Sequence, residues 1–404
     1  MVHGLAEMAT NMSRVDVLAP SVTTEWLGAG TNYVIQTPSG TLYRVYIDAA
    51  ADVVFVKSID GGLTWSLSTG VHSGTVQAVA VWYDRWSNIS AGLIHCAYTD
   101  TGSDDIFYRS IDTESSDSLS GEVTVFAGST AIAGGALSIT RARGGNLVVA
   151  GSIDAGNEDG AWESTDVGAT WGSAIADPSE AGTTDQYLLL PGWNADNQDV
   201  MLIFWDASAE ELSVKRYDDS GNSWAETSIA TSMTDQTAAT AFPHMAAVVD
   251  LANSRNIVIA WSAVDAANAD LRCWIIDDTT ITETTNVVLD GTDDQGLCAL
   301  AINSTTGLLY AFYGGKSDGS ETFGASINIY YKSSANAGTT WGSETRLTTV
   351  GAYIRQINCP PRFLDFLPAP PLVLWGYTTG VLTEARINMG LPISPRASYQ
   401  IGVM

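Results

Sequence analysis

Ser58-Ile59-Asp60-Gly61-Gly62-Leu63-Thr64-Trp65 is the stretch whose reading decides the fold, because its spaced pattern of Asp or Asn, Gly, hydroxyl and Trp occurs four times. It returns as Ser164-Thr165-Asp166-Val167-Gly168-Ala169-Thr170-Trp171, as Tyr217-Asp218-Asp219-Ser220-Gly221-Asn222-Ser223-Trp224, and as Ser334-Ala335-Asn336-Ala337-Gly338-Thr339-Thr340-Trp341. Each copy carries the chemistry of a tight turn. The Asp or Asn side chain is expected to accept from backbone N–H groups two or three residues on, and the Gly to supply a positive φ. The Trp is expected to open the next strand with its ring under the loop. A strand-like run such as Val53-Val54-Phe55-Val56-Lys57 precedes each copy, so the turn joins two antiparallel strands.

The four copies resemble the Asp box, or BNR repeat, of sialidases and related propellers. The resemblance implies a structural turn on the rim of a blade, remote from any active site. It carries fold and leaves activity open, since one fold hosts many functions.

The chain of 404 residues has 45 acidic residues against 18 Lys plus Arg, a net charge of −27. The acidity comes from scarce bases, which argues against a nucleic-acid partner or an anionic membrane surface. Cys96, Cys273, Cys298 and Cys359 lie far apart with no Cys-x-x-Cys pair, so they read as buried thiols rather than disulfides or a metal site. No basic n-region opens the sequence and no apolar run of about 18 residues occurs, so synthesis and folding in a cytoplasm are expected, with no membrane insertion.

Between the turns the chain reads as units of three or four short strands. Unit one uses 33–36, 41–47 and 52–57 with a fourth strand from Trp65; unit two uses 76–82, 93–98, 106–110 and 123–126. Units three to six follow the same order. Taking turn positions 60, 112, 166, 219, 277 and 336, successive differences are 52, 54, 53, 58 and 59. That period is the signature of a β-propeller. The last unit offers 356–363, 372–377 and 381–387, three strands without a fourth. The run Ser13-Arg14-Val15-Asp16-Val17-Leu18 has no other home. The expected fold is therefore an all-β, seven-bladed β-propeller over 1–389, closed by strand 13–18 in the last blade, with 390–404 as an extended tail.

A second feature recurs between the second and third strands, where an Asp is followed by another acid: Asp48 with Asp52, Asp100 with Asp104, Asp154 with Asp159, Asp206 with Glu210, Asp265 with Asp270. Each first Asp is read as opening an Asx turn and each second acid as solvated. Divalent-cation binding is the sharper alternative, with 100–105 and 290–294 the densest candidates, so calcium is the one cofactor to test; no metal ligands are assigned.

The resemblance also implies what a sialidase requires: three arginines on the substrate carboxylate, a Tyr–Glu nucleophile and an Asp acid. The first arginine's motif is approached by Tyr43-Arg44-Val45-Tyr46, which lacks its Pro and falls on a second strand. Arg141, Arg143, Arg355 and Arg362 lie beside strands placed innermost, yet no Glu–Tyr pair accompanies them, and the nearest carboxylate to the last two is Asp365. His72, His95 and His244 read as strand or loop residues rather than bases. Trp82-Tyr83-Asp84-Arg85-Trp86 puts three rings at the end of an inner strand, by default packed between blades and otherwise a platform for sugar faces. No catalytic residue is assigned.

A ring with four Lys and no appended domain is similar to Asp-box proteins of tailed bacteriophages. That resemblance implies a non-enzymatic virion protein, structural or attachment in role, whose partners are other virion proteins and host glycans. A sialidase-type glycoside hydrolase and a cytoplasmic scaffold are the alternatives.

Overall fold

The computed structural model describes residues 14–16, 32–48, 50–61, 64–83, 92–128, 137–152, 159–178, 186–206, 209–231, 233, 245–265, 268–289, 297–318, 320–321, 328–347, 353–363, 373–378 and 382–387. The tail 390–404, Asp154, the 290–294 acids, Asp84 to Trp86, His244 and Asp365 lie outside the described residues.

Among the described residues the strands form seven separate sheets and no α-helix. The first holds β2 (Asn32–Gln36), β3 (Leu42–Ile47), β4 (Val53–Ser58) and β5 (Thr69–His72). The second holds β6 (Val76–Tyr83), β7 (Leu93–Asp100), β8 (Asp105–Asp112) and β10 (Val123–Ala127), with β9 (Ser118–Leu119) also on β8. The third has β11 (Leu137–Arg141), β12 (Leu147–Ser152) and β13 (Asp159–Ser164). The fourth has β14 (Gln186–Pro191), β15 (Val200–Asp206), β16 (Glu211–Asp218) and β17 (Ser223–Thr231). The fifth has β18 (Met245–Asp250), β19 (Arg255–Asp265), β20 (Asn268–Asp277) and β21 (Thr280–Glu283). The sixth has β22 (Cys298–Asn303), β23 (Leu309–Gly314), β24 (Ile329–Ser334) and β25 (Thr345–Arg346). The seventh combines β26 (Tyr353–Asn358), β28 (Val373–Thr378) and β29 (Leu382–Ile387) with β1 (Arg14–Asp16), in register Arg14↔Ile387, Val15↔Arg386 and Asp16↔Ala385.

The first strands of successive sheets touch in the order β2, β6, β11, β14, β18, β22, β26, and β26 touches β2 again. The chain is an all-β propeller. Its core consists of wedges between neighbouring sheets rather than one central mass. Val45, Val53, Ile94 and Tyr98 fill the first wedge, and Ile259, Cys273, Ala311 and Tyr313 one opposite. Both faces of the strands are therefore apolar, as in β15 (Val200 to Trp205), because each sheet packs against two others.

Three of the four turns share one set of bonds. Asp60 Oδ1 accepts from Thr64 N at 2.9 Å while Thr64 Oγ1 donates to Asp60 Oδ2 at 2.6 Å. Asp166 and Thr170 repeat this at 2.8 and 2.6 Å, and Asn336 accepts from Thr340 N at 2.9 Å. The acceptor thus reaches four residues on, not two or three, because two left-handed or turn residues intervene. Val167 and Gly168 have φ of 61° and 84°, and Ala337 and Gly338 have 56° and 87°.

The Trp does not open the fourth strand at these three turns. Ser66 N donates to Lys57 O, Gly172 N to Glu163 O and Gly342 N to Ser333 O, after which the chain leaves the ladder before β5 and β25. In the third sheet the return is only a bridge at Ala174. The third turn differs altogether: Asp218 caps it, accepting from Gly221 N at 3.0 Å and Ser220 Oγ at 2.8 Å, and Trp224 sits inside β17. The Trp rings reach the preceding sheet. Trp171 meets Tyr108 edge-on at 5.4 Å, Trp224 Nε1 donates to Ala176 O at 2.6 Å, and Trp341 Nε1 to Thr285 O at 3.0 Å.

The repeated acids also have definite partners. Asp48 Oδ1 accepts from Ala50 N at 2.9 Å and Asp100 Oδ1 from Gly102 N at 2.7 Å, the expected Asx turns. The second acid of several pairs is not merely solvated, because it holds the connection to the next sheet. Asp52 Oδ1 accepts from Gly74 N at 3.0 Å, Asp159 Oδ2 from the Tyr187 hydroxyl and Asp270 Oδ2 from Asn286 Nδ2 at 3.2 Å. In the second sheet Asp105, one place beyond Asp104, does this work, accepting from Gly128 N at 3.0 Å.

Candidate functional site

The inner strands leave an axial cavity of about 160 Å³, lined by β2, β6, β11, β14 and β18. Among the described residues β22 to β25 of the sixth sheet contribute no lining residue. Its first strand is covered by β27 (Arg362–Phe363), which returns from the seventh sheet and pairs in parallel with Ile302 and Asn303. Ile302 N donates to Pro361 O and Ser304 N to Phe363 O, both at 2.9 Å. Cys359-Pro360-Pro361 steers the chain into that path, since consecutive prolines favour an extended backbone and withhold two donors.

This places Pro361 and Arg362 on the cavity wall beside Tyr33, Gln36, Trp82, Tyr83 and Ser138, with Val248, Leu189 and Ile139 among the apolar lining. Trp82 spans the channel. It packs against the wedge between the second and third sheets and also against the one between the fourth and fifth. Among the described residues no Asp, Glu or His lines the cavity, and Arg362 is the one charged group there.

Three of the other arginines singled out in the sequence, Arg44, Arg141 and Arg143, do not line it. Arg44 is 2% exposed on a second strand, its guanidinium 4.2 Å above the Tyr46 ring. Arg141 is wholly buried and donates from Nε to Gly145 O at 3.0 Å. Arg143 crosses to the fourth sheet, donating to Gly192 O at 2.7 Å and to Asn194 O, and stacks over Trp193 at 5.3 Å. Only the backbone of Arg355 is described, on β26. Tyr–carboxylate pairs do occur, Tyr98 with Glu122 at 2.7 Å and Tyr313 with Glu344 at 2.8 Å, but away from the cavity.

Two histidines prove to be wedge residues. His72 on β5 lies between Glu122 and Asp100 of the second sheet, Nδ1 2.8 Å from Glu122 Oε2 and Nε2 3.0 Å from Asp100 Oδ2. Tyr98 flanks the ring at 4.7 Å and Phe107 at 5.5 Å. Gly74 is required beside it, because a Cβ there would stand 2.4 Å from Asp100 Oδ2. The spacing of 72, 98, 100 and 122 gave no sign that one seam would unite them. His95 is fully buried, its Nδ1 2.7 Å from the Tyr108 hydroxyl and its Nε2 without a hydrogen-bond partner among the described residues. Burial, helped by Arg141, pushes its pKa down from 6.5 to about 3, so it is a neutral ring.

The four cysteines are buried thiols outside any disulfide, and burial raises Cys96 to about 12 and Cys273 to about 11, which makes them inert. No group of three or more His, Cys, Asp or Glu is placed to hold a metal ion among the described residues. No helix among them is long and apolar enough to cross a membrane.

No family model and no curated protein matches the chain. Solved structures do. A polysaccharide lyase of family PL25, an ulvan lyase bound to -[GlcA(1-4)Rha3S]-, superposes with a TM-score of 0.60 at 9% identity, covering 92% of this chain and 95% of that one. The hydrazine synthase of Kuenenia stuttgartiensis gives 0.54 at 11% identity, covering 93% and 99%. The Hadza microbial sialidase Hz136 gives 0.46 at 15% identity, covering 89% and 65%, a score too low to bear on the argument. The likeness is one of fold.

Proposed function

We propose that the chain is a non-enzymatic structural or attachment protein, a seven-bladed ring with Asp-box turns whose axial cavity receives one sugar ring of a host-surface glycan. The observation that carries this is the cavity's lining. Among the described residues Tyr33, Trp82 and Tyr83 and one cation, Arg362, line it, and no Asp, Glu or His does. A sialidase-type site needs three arginines, a Tyr–Glu nucleophile and an Asp acid, and the described wall offers one arginine and no carboxyl group. The solved ulvan lyase of similar fold holds an acidic glycan, which favours glycan contact over a purely mechanical role.

The four box turns resemble those of tailed-phage propellers, and on that resemblance we assign the protein to a virion, made in a host cytoplasm and bound to other virion proteins, with residues 13–18 closing the ring. Calorimetric titration with sialosides and uronate oligosaccharides tests the cavity. Binding that weakens at least tenfold in both Trp82→Ala and Arg362→Ala supports the reading, and equal affinity in native and variant proteins overturns it. Release of methylumbelliferone from an aryl sialoside returns the sialidase-type alternative. Absence from purified particles by sedimentation removes the virion role.

A further inference from the structure

Among the described residues β17 is the longest outermost strand of the ring, nine residues against four in β5 and β21, five in β10 and two in β25. The six-residue β13 is met on its outer side by the bridge at Ala174. The sequence of β17 supports its length, because Trp, Thr and Ile suit a half-exposed pleated surface and no Pro or Gly interrupts them. It pairs with β16 from Asp218↔Ser223 to Ser213↔Ser228 without a break, and a bulge at Ile229 then bends it. Among the described residues no strand or bridge lies on its other side. Such an edge turns alternate N–H and C=O groups outward, as a template for one more strand.

Contacts on both faces fix this edge in place. Towards the third sheet, Trp224 Nε1 donates to Ala176 O at 2.6 Å and Glu226 lies 3.8 Å from Lys215 Nζ. Towards the fifth, Arg216 donates to Thr227 Oγ1 at 3.0 Å and to Asp278 O at 2.7 Å. A strand held this way gives up little freedom when another joins it.

Charge selects the occupant. Glu226 is 44% exposed at the middle of the edge, and Asp218 and Glu210 are exposed at its two ends. The neighbouring cations are turned inward: Lys215, 6% exposed, donates to Pro178 O, and Arg216 holds Asp278 O. A second copy pairing antiparallel would set the Asp218 end of one chain against the Glu210 end of the other, with −27 on each chain. We propose that β17 receives an extended segment of another polypeptide, flanked by Lys or Arg, which lengthens the fourth sheet outward. This docking is independent of what the axial cavity holds.

Fluorescence anisotropy with the full chain tests it, using a synthetic peptide of alternating Thr and Val with lysines at both ends and a glutamate-ended counterpart. The lysine-ended peptide binds about tenfold tighter or more at low salt, and the difference shrinks as salt screens the charges. Amide exchange of residues 223–228 slows about threefold or more under saturating peptide, while Thr284 N, bonded to Cys273 O in the fifth sheet, keeps its rate. N–H groups alternate along a strand, so of Ala225→Pro and Glu226→Pro one removes an outward donor and spares the ladder to β16; that folded variant binds about tenfold more weakly. Glu226→Gln, which only removes a rim charge, decides the matter if neither folds, with a loss of about threefold. Equal affinity for the two peptides, no binding, unchanged exchange at 223–228, or undiminished affinity in the folded variant overturns the proposal. A concentration-dependent dimer that itself protects 223–228 overturns it too, since the occupant is then a second copy.

Discussion

Removing the His95 ring tests how far wedge burial controls stability. His95 titrates near 6.5 when exposed and near 3 in the fold, chiefly because burial strips water from the cation. Between those values the unfolded chain binds a proton that the folded one refuses. The stability this depressed group supplies is complete above pH 6.5 and is lost as pH falls towards 3. The slope is about 1.4 kcal/mol per pH unit, so moving from pH 7 to pH 5 removes about 2 kcal/mol. Glu163 opposes it. Its raised pKa gives stability that is full below 4.5 and lost as pH rises through about 7, though half exposure screens the effect.

The native profile between pH 5 and 6.5 is therefore blunted, and single variants separate the two slopes. His95→Phe keeps an aromatic ring in the wedge, forfeits the bond to Tyr108 and removes an unmet buried nitrogen, so its stability at pH 7 stays within about 1.5 kcal/mol of native. Urea midpoints at pH 7.0, 6.0 and 5.0 read the comparison. The variant gains about 2 kcal/mol relative to native on acidification to pH 5, and Glu163→Gln steepens the native loss. Parallel curves for native and His95→Phe would refute the neutral buried imidazole.

Gly168→Ala places a methyl 2.2 Å from the Tyr108 ring at a φ of 84°, and thermal melting should show at least about 2 kcal/mol of destabilisation. Trp341→Phe loses the Nε1 bond to Thr285 O across the fifth and sixth sheets, and a drop of about 1 kcal/mol is expected from the shift in urea midpoint. Asp105→Ala leaves Gly128 N without its acceptor where the second sheet hands over to the third, and about 1–2 kcal/mol should be lost, seen as faster amide exchange at Gly128.

The repeat in the sequence was sufficient for the all-β propeller because the turn chemistry is local: Asp60 and Thr64 sit four residues apart and need no distant partner. The strand order between turns followed from apolar runs such as 200–205. Legibility failed where a residue's partner lies in another sheet. Asp52, Asp159 and Asp270 looked solvated because Gly74, Tyr187 and Asn286 are 16 to 28 residues away. Asp219 looked like a cap because its neighbour Asp218 is equally able to be one. Arg362 was rightly suspected of reaching the axis, but the parallel strand that carries it there depends on Ile302 and Asn303, sixty residues earlier.

The pairing of Val15 with Arg386 has a consequence for how the molecule assembles. In an unstructured chain, bringing together ends on the order of 370 residues apart costs about 5 kcal/mol of loop entropy, more than three antiparallel residues return. That pairing can form only after the intervening sheets have already brought the two edges side by side, which makes it the final stitch of folding and the first place for the finished circle to come undone.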